Sequence, residues 1–465
     1  MWWENALNYF YITLVVFISI YGLHALIITI LYLLHYREKS PGMPEPEDWP
    51  RVAVQLPFYN EQTVAERMIN LACAFDYPKD KLIIQVLDDS TDDTTAIVAQ
   101  RVTHFRSLGY NVQMLHRTDR TGFKAKALAG GLAETDAEFI AVFDADFMPP
   151  PNFLKRVIPQ FGADPRIGMV QTRWGHSNWE TNALTHVQAL FLDGHQVVEQ
   201  VARSRSGLLL NFNGSGGVWR TACLRDAGGW DWDTLAEDID VSYRSQLKGW
   251  KLVFLPDLII PAEIPLTMQA FKTQQNRWTF GHIQVFRKLI AKIWRAPGLH
   301  LAQRLGATFH LSTNLMQPVA LASFLLTVPM ALMHLKEPPS LGLISIASSG
   351  PTILFVVAQL FGYHDGFKRK LDRMIHLPLL ALVAVGLSLS NTLSVFGALT
   401  GRKMTWRVTP KNPKKNYSLA QNGVSVPPMV WGEIFLAFYC TLALSLSLAH
   451  AHNLIAVSTL GMLSF

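Results

Sequence analysis

Hydrophobic positions along this 465-residue chain follow two patterns. From residue 9 to residue 36 they are almost uninterrupted, at least the roughly 20 residues that a spanning helix needs, so residues 1–40 are expected to hold a first membrane helix. Arg37 and Lys39 follow this stretch, whereas a cleavable leader carries its charge ahead of a shorter core. Positive charge on that flank places the next domain in the cytoplasm. Between residue 50 and about residue 300 the apolar runs shorten. VAVQLP (52–57), LIIQVL (82–87), NVQML (111–115) and EFIAVF (138–143) alternate with helical stretches, the rhythm of an α/β domain with a mainly parallel sheet. Continuous β-branched runs mean strands covered on both faces. Long apolar stretches then return near 304–335, 341–363, 374–398 and 428–450, with a fifteen-residue apolar tail.

Composition sharpens this picture. With 49% apolar and 16% charged residues, the chain is neither disordered nor wholly water-soluble. The net charge of +6 is located beside the apolar stretches, at 287–295, 368–373 and 402–415, where it fixes topology at a cytoplasmic membrane rather than forming a nucleic-acid surface. Three crossings after the soluble domain would export the 402–415 cluster. Segment 374–398 is therefore expected to lie at the interface, in keeping with Ser388, Ser390, Asn391, Thr392 and Ser394 in its second half. Three scattered cysteines exclude a disulfide framework or a zinc cluster.

In wound sheets, ligands collect beyond the carboxyl ends of the strands. Asn60 and Glu61 follow the first run, Asp88 and Asp89 end the second, and Asp144 and Asp146 end the fourth. Carboxylates there can cap the next helix, the simpler reading for Asp92 and Asp93. Four acids on one sheet edge would instead repel unless a hard cation sat among them, and magnesium with a phosphate ligand fits best. Arg120-Thr121-Gly122-Phe123-Lys124 enters a helix where backbone amides and Lys124 can meet a phosphate, although a helix with two lysines is equally ordinary as a solvated face. The small-residue loop 211–217, containing Asn213, Gly214 and Ser215, invites close approach by a ligand. Glu237 and Asp238 open a helix, where Asp238 is either a dipole-stabilised carboxylate or the base that deprotonates an attacking hydroxyl. Gln274-Gln275-Asn276-Arg277-Trp278 is expected to start an amphipathic helix. Arg277 suits a diphosphate and Trp278 suits either a sugar face or an interfacial anchor.

In this order the pieces resemble the processive family 2 inverting glycosyltransferases, the group of cellulose, mannan and hyaluronan synthases. Asp88/Asp89, Asp144/Asp146, Asp238 and Gln274/Arg277/Trp278 match that pattern, and QLPFYNE (55–61), QVLDDSTDDT (85–94), FNGSGGVWR (212–220), AGGW (227–230) and LKGWK (247–251) are similar to the mannan-synthase-like branch especially. Trp406-Arg407-Val408-Thr409-Pro410-Lys411 is similar to a gating loop of cellulose synthases. The resemblance implies a GT-A-type nucleotide-sugar-binding domain at 50–265, interfacial helices at 266–300, and membrane helices at 301–465 that include the interfacial helix 374–398 and the gating loop 402–415. It also implies Mg2+ or Mn2+ on Asp144 and Asp146. Donor contacts would come from Pro57, Asn60, Glu61, Asp88, Asp89, Lys124, Asp144, Gln274, Arg277, Thr409 and Lys411. Acceptor contacts would come from Trp278, Asn213, Gly214, Ser215 and Glu237. Two departures are local: Ala236 replaces a frequent Thr, and Phe147 stands where cellulose synthases usually carry a His that can ligate the metal. No cyclic-dinucleotide-binding segment follows the membrane region, so control by that messenger is not expected within these residues.

The expectation is thus an inner-membrane hexosyltransferase using UDP-glucose or GDP-mannose. Asp238 deprotonates the hydroxyl of a growing β-glycan, and synthesis is coupled to export, with accessory export proteins as candidate partners. One alternative is a glycolipid synthase acting on ceramide or diacylglycerol. A different class is a nucleotide-sugar-sensing channel that binds donor without consuming it.

Overall fold

The computed structural model describes residues 2–38, 42–333, 346–363, 365–402 and 428–449. Helix α1 (Trp2–His35) precedes a seven-stranded sheet. Its strands are β1 (Val52–Phe58), β2 (Leu82–Asp88), β3 (Asn111–His116), β4 (Phe139–Val142), β5 (Ile167–His176), β6 (Gly217–Arg220) and β7 (Lys251–Ala262), in the order β3-β2-β1-β4-β6-β5-β7. All four runs read from the sequence are strands. The β1–β2, β2–β3, β1–β4 and β5–β7 pairs are parallel, and β6 alone runs antiparallel, against both β4 and β5. The sheet is therefore mainly parallel, and the carboxyl ends of β1, β2 and β4 lie side by side because Pro57 pairs with Leu87 and Gln55 with Val142.

Helices cover both faces, as the unbroken apolar strands require. On one face Val54, Leu56 and Val86 pack with α2 (Ala65–Cys73), α3 (Thr94–Ser107) and the short α5 (Phe153–Val157), the intervening α4 (Phe123–Ala133) lying on the opposite side. There Ile83, Ile140 and Trp219 pack with Leu128 of α4, Leu224 of α8 (Thr221–Asp226) and Val241 of α9 (Glu237–Leu247). Helices α6 (Ala183–Asp193) and α7 (Gln200–Arg205) are joined by a turn of π-helix, Gly194–Glu199. The second core also takes in Ile28 and Tyr32 of α1, so the apolar N-terminal helix is packed into the α/β domain.

Helix α10 (Met268–Arg295) begins two turns before Gln274, because Thr267 caps it by accepting from the Ala270 amide. After it come α11 (Leu301–Ser312), α12 (Met316–Leu332), α13 (Gly350–Phe361), α14 (Phe367–Met374), α15 (Leu377–Leu399) and α16 (Pro428–Ala449). Among the described residues, three stretches are long and apolar enough to cross a membrane by length and composition: Trp2–His35, Leu301–Met330 and Phe367–Leu399. The third contains segment 374–398. Its polar residues Ser388, Ser390, Asn391 and Thr392 are buried in protein, so their polarity is explained by packing and no longer argues for an interfacial position. Where α1 meets α13 the backbones touch. A Cβ at Gly22 would stand 2.1 Å from the Ala347 carbonyl oxygen, just before α13, and one at Gly350 2.0 Å from the Gly22 carbonyl oxygen, the close approach that small residues permit between membrane helices. Trp406, Thr409 and Lys411 of the expected gating loop lie outside the described residues.

Candidate active site

The carboxyl edge of the sheet opens on a cavity of about 600 Å³ that runs on between α10, α11, α12 and α15. Of the residues singled out in the sequence, Pro57, Glu61, Asp89, Lys124, Asp144, Asp146, Asn213, Gly214, Glu237, Asp238, Gln274, Arg277 and Trp278 all line it. Residues from seven separate segments therefore converge on one space.

At its centre Lys124, carried by the first turn of α4, donates to Asp144 Oδ1 at 2.6 Å and to the Gly214 carbonyl at 2.9 Å. The Ser215 hydroxyl accepts from the Asp144 amide at 2.9 Å. Ser215 is fully buried and does not line the cavity, so it positions the Asp144 loop and is not the acceptor contact expected of it. Gly214 has φ +83°, and a Cβ there would stand 3.0 Å from Asp238 Oδ2 and 3.7 Å from Lys124 Nζ. The loop thus needs glycine for its left-handed backbone and for the close approach of both charged groups.

Asp238 Oδ1 accepts from the Ile239 amide at 2.9 Å. Burial, then the Glu237 carboxylate beside it, raises the Asp238 carboxyl to about 7, against the pull of Ile239 N–H and Lys124. Burial also raises Glu237, with Lys124 opposing. Burial works against the Lys124 ammonium, but the Asp144, Glu237 and Asp238 carboxylates outweigh it and hold its pKa above the ordinary lysine value. Burial lowers Arg277, and the same acids together with Asp146 oppose that shift. A carboxylate poised near neutrality beside concentrated positive charge has the properties of a general base next to an anion site.

Asp144 and Asp146 offer hard oxygen donors on one loop, the chemistry that Mg2+ or Mn2+ prefers. Phe147, buried against Trp174 with ring centroids 5.2 Å apart, supplies no ligand. A cation held here would draw its remaining ligands from a diphosphate and water. Among the described residues one other acidic cluster has closely spaced oxygens, Asp231, Asp233 and Asp240. Lys288 already sits among these three, at 2.8, 2.6 and 3.0 Å, and ties α10 to α9.

Two expected donor residues stand elsewhere. Asp88 is fully buried and accepts from the Ser90 amide at 3.1 Å, the Thr95 hydroxyl at 2.8 Å and His116 Nδ1 at 2.9 Å, so it braces the β2–α3 loop instead of facing ligand. Asn60, with φ +56°, accepts from the Thr91 amide at 2.9 Å and braces the same loop from outside the cavity. Asp89 does reach the cavity, clasped by both arms of Arg117. Arg120 stacks over the Tyr59 ring at 3.2 Å on the same wall.

Sequence reasoning missed a polar chamber continuous with this site, formed by His24, His195, Glu199, Arg203, His282 and His310. The π-helical turn carries His195 and Glu199. His195 bridges Glu199 at 2.8 Å and Asn213 at 3.0 Å, while His310 pairs with the Tyr243 hydroxyl at 2.7 Å. The available signal was a histidine inside each of two apolar stretches, His24 and His310, where polar residues are costly and mark function.

Residues 50–281 match the family model described as "Glycosyltransferase like family 2". Over 294 residues the chain is 40% identical to the probable glucomannan 4-beta-mannosyltransferase 7 of Oryza sativa subsp. japonica, covering 62% of this chain and 50% of that protein. Over 252 residues it is 42% identical to glucomannan 4-beta-mannosyltransferase 2 of Arabidopsis thaliana, covering 53% and 47%. The chain therefore spans about half the length of the curated relatives it matches. Among solved structures it is similar to the mannosyltransferase PcManGT from Pyrobaculum calidifontis in complex with GDP-Man and Mn2+, with TM-score 0.58 and 21% identity over 85% of this chain and 100% of that one. That likeness establishes the GT-A-like fold.

Proposed function

Because residues 50–281 belong to the glycosyltransferase-like family 2, we propose that this protein transfers a mannosyl unit from GDP-mannose to a saccharide hydroxyl at a membrane surface, with inversion to a β-mannoside. One observation carries the reading: a single cavity joins the Asp144/Asp146 pair, the Asp238 carboxylate and the Arg277–Trp278 turn of α10. Mannose and guanosine, in preference to UDP-glucose, are supported by the mannosyltransferase names of the relatives. The apolar helices and the basic residues flanking them support a membrane enzyme whose catalytic domain faces the cytoplasm.

In this mechanism Asp238 accepts the proton of the acceptor hydroxyl as its oxygen bonds to the anomeric carbon, and the bond from that carbon to the diphosphate breaks on the opposite face. Lys124 and Arg277 stabilise charge developing on the departing diphosphate from fixed positions, which needs no reorganisation as the bond breaks. A divalent cation held by Asp144 and Asp146 would supply further neutralisation of that diphosphate. Trp278 offers its ring to the apolar face of the acceptor sugar. Asp89 and Arg120 line the wall where the nucleoside end would lie.

A donor panel on the detergent-solubilised full chain tests this. The expected result is release of GDP from GDP-mannose, abolished by chelation and restored by Mn2+ or Mg2+, with a β-mannosidic product by linkage analysis. Preferential use of UDP-glucose would overturn the donor assignment. Binding without turnover would favour a sensor.

A further inference from the structure

Beyond the site of transfer, the cavity divides into two surfaces of opposite character. The chamber of His24, His195, Glu199, Arg203, His282 and His310 is polar, and its one carboxylate is balanced by its one guanidinium. His24 Nε2 has no hydrogen-bond partner among the described residues, nor does Asn213 Nδ2, where the chamber meets the loop beside Asp238. Such a surface suits uncharged hydroxyl groups and carries no surplus positive charge for a phosphate. One turn along α6 the lining changes. Phe191, Leu354, Phe355, Leu380, Val383 and Leu387 form an arm between α6, α13 and the candidate span containing α15. The Phe191 and Phe355 rings lie 6.4 Å apart, and Leu380 packs with Phe355 and Val383 around Val187 and Leu190. None of these six side chains offers a hydrogen bond, so a glycan drawn through the arm would leave hydroxyls unpaired at roughly tenfold or more in affinity each.

Resting on the mannosyltransferase reading, we infer that the acceptor is an amphiphile, with an uncharged sugar headgroup in the histidine chamber and a hydrocarbon chain in the arm between α6, α13 and α15. Continuity of the arm with the reaction site selects this occupant, because one molecule can fill both surfaces while presenting its hydroxyl to Asp238. The polar residues Asn314, Gln317, Ser388 and Asn391 also line the cavity, the last two beside and one turn beyond Leu387, and would receive a hydrocarbon-free glycan instead.

The test measures transfer from labelled GDP-mannose, by the full chain, to methyl, butyl, octyl and dodecyl β-mannosides kept below their micelle concentrations. The expected result is a kcat/KM that climbs with chain length, by up to about fourfold per buried methylene. Leu380→Trp and, separately, Val383→Trp should flatten that climb, with donor hydrolysis read in parallel as the check on folding. Dodecyl phosphate should compete more weakly than dodecyl mannoside. A flat chain-length series in the wild-type protein, with mannobiose used as well as dodecyl mannoside, would overturn the inference and assign the cavity to a free glycan. Stronger competition by the phosphate would overturn the uncharged headgroup. Absence of GDP-mannose turnover under every condition would instead sink the underlying mannosyltransferase reading.

Discussion

Replacing Asp238 by Asn removes a proton acceptor while leaving its surroundings nearly intact. The Asn side-chain oxygen can still accept from the Ile239 amide, the 2.9 Å bond that fixes the rotamer, and the change in volume is negligible. What disappears is one negative charge from a cavity that also holds Asp144, Asp146 and Glu237. The donor is an anion, so GDP-mannose should bind the variant as tightly as the wild type or more tightly. Turnover should fall by about 10²- to 10⁴-fold, the range for a positioned general base. The wild-type pH profile provides an independent check. The carboxyl is raised to about 7 in the free protein and must be ionised to act, so kcat/KM should decline below neutrality with a limiting slope of about tenfold per unit. A divalent cation nearby favours the ionised carboxylate, so saturating Mn2+ should move that limb to lower pH. Calorimetric donor binding, GDP release and β-mannoside formation measured across pH resolve these effects. A variant that keeps more than about a tenth of wild-type kcat, a loss far below that of a general base, would remove Asp238 from the mechanism.

Two further substitutions test how the site is held. Gly214→Ala puts a methyl group 3.0 Å from Asp238 Oδ2 at φ +83°; the left-handed backbone costs roughly 1–2 kcal/mol, and kcat should fall further than thermal stability does, as paired kinetics and melting curves would show. Lys288→Met leaves the buried Asp240 with Arg244 alone and lets Asp231 and Asp233 repel; denaturant titration in detergent should show a loss of about 1–3 kcal/mol, whereas unchanged stability would make the cluster a solvent-screened accident.

Which parts of this molecule are legible in its sequence follows from how local each determinant is. β1, β2 and β4 are legible because strands covered on both faces leave continuous apolar runs, whereas β3 is a half-exposed edge strand with a shorter apolar signal. β6 is four residues long and is held by antiparallel neighbours far away in the chain, so no local pattern announces it. The Pro256 and Asp257 interruption hides β7 in the same way. In the site, Asp144 and Asp238 are legible by chemical type at element ends and Arg277 and Trp278 by chemical type alone, inside α10, and all four meet in one cavity. Asp88 could not be separated from Asp89, since both end the same strand. Only the fold shows that Ser90, Thr95 and His116 claim the first while the second reaches the cavity. The chamber histidines come from α1, the π-turn, α10 and α11, and no spacing rule connects them.

Helix α10 carries Trp278 near its middle, is anchored to the base-bearing helix through Lys288, and lies along α15 through Phe280, Ile283, Val395 and Ala398. It is a lever with one end in the chemistry and the other against a hydrophobic rod. In the proposed membrane setting, lipid too thin for that rod would tilt it, and the indole proposed to hold the incoming sugar would move with it. Reconstituted into bilayers of graded acyl length, the protein should therefore read lipid thickness as a change in acceptor KM.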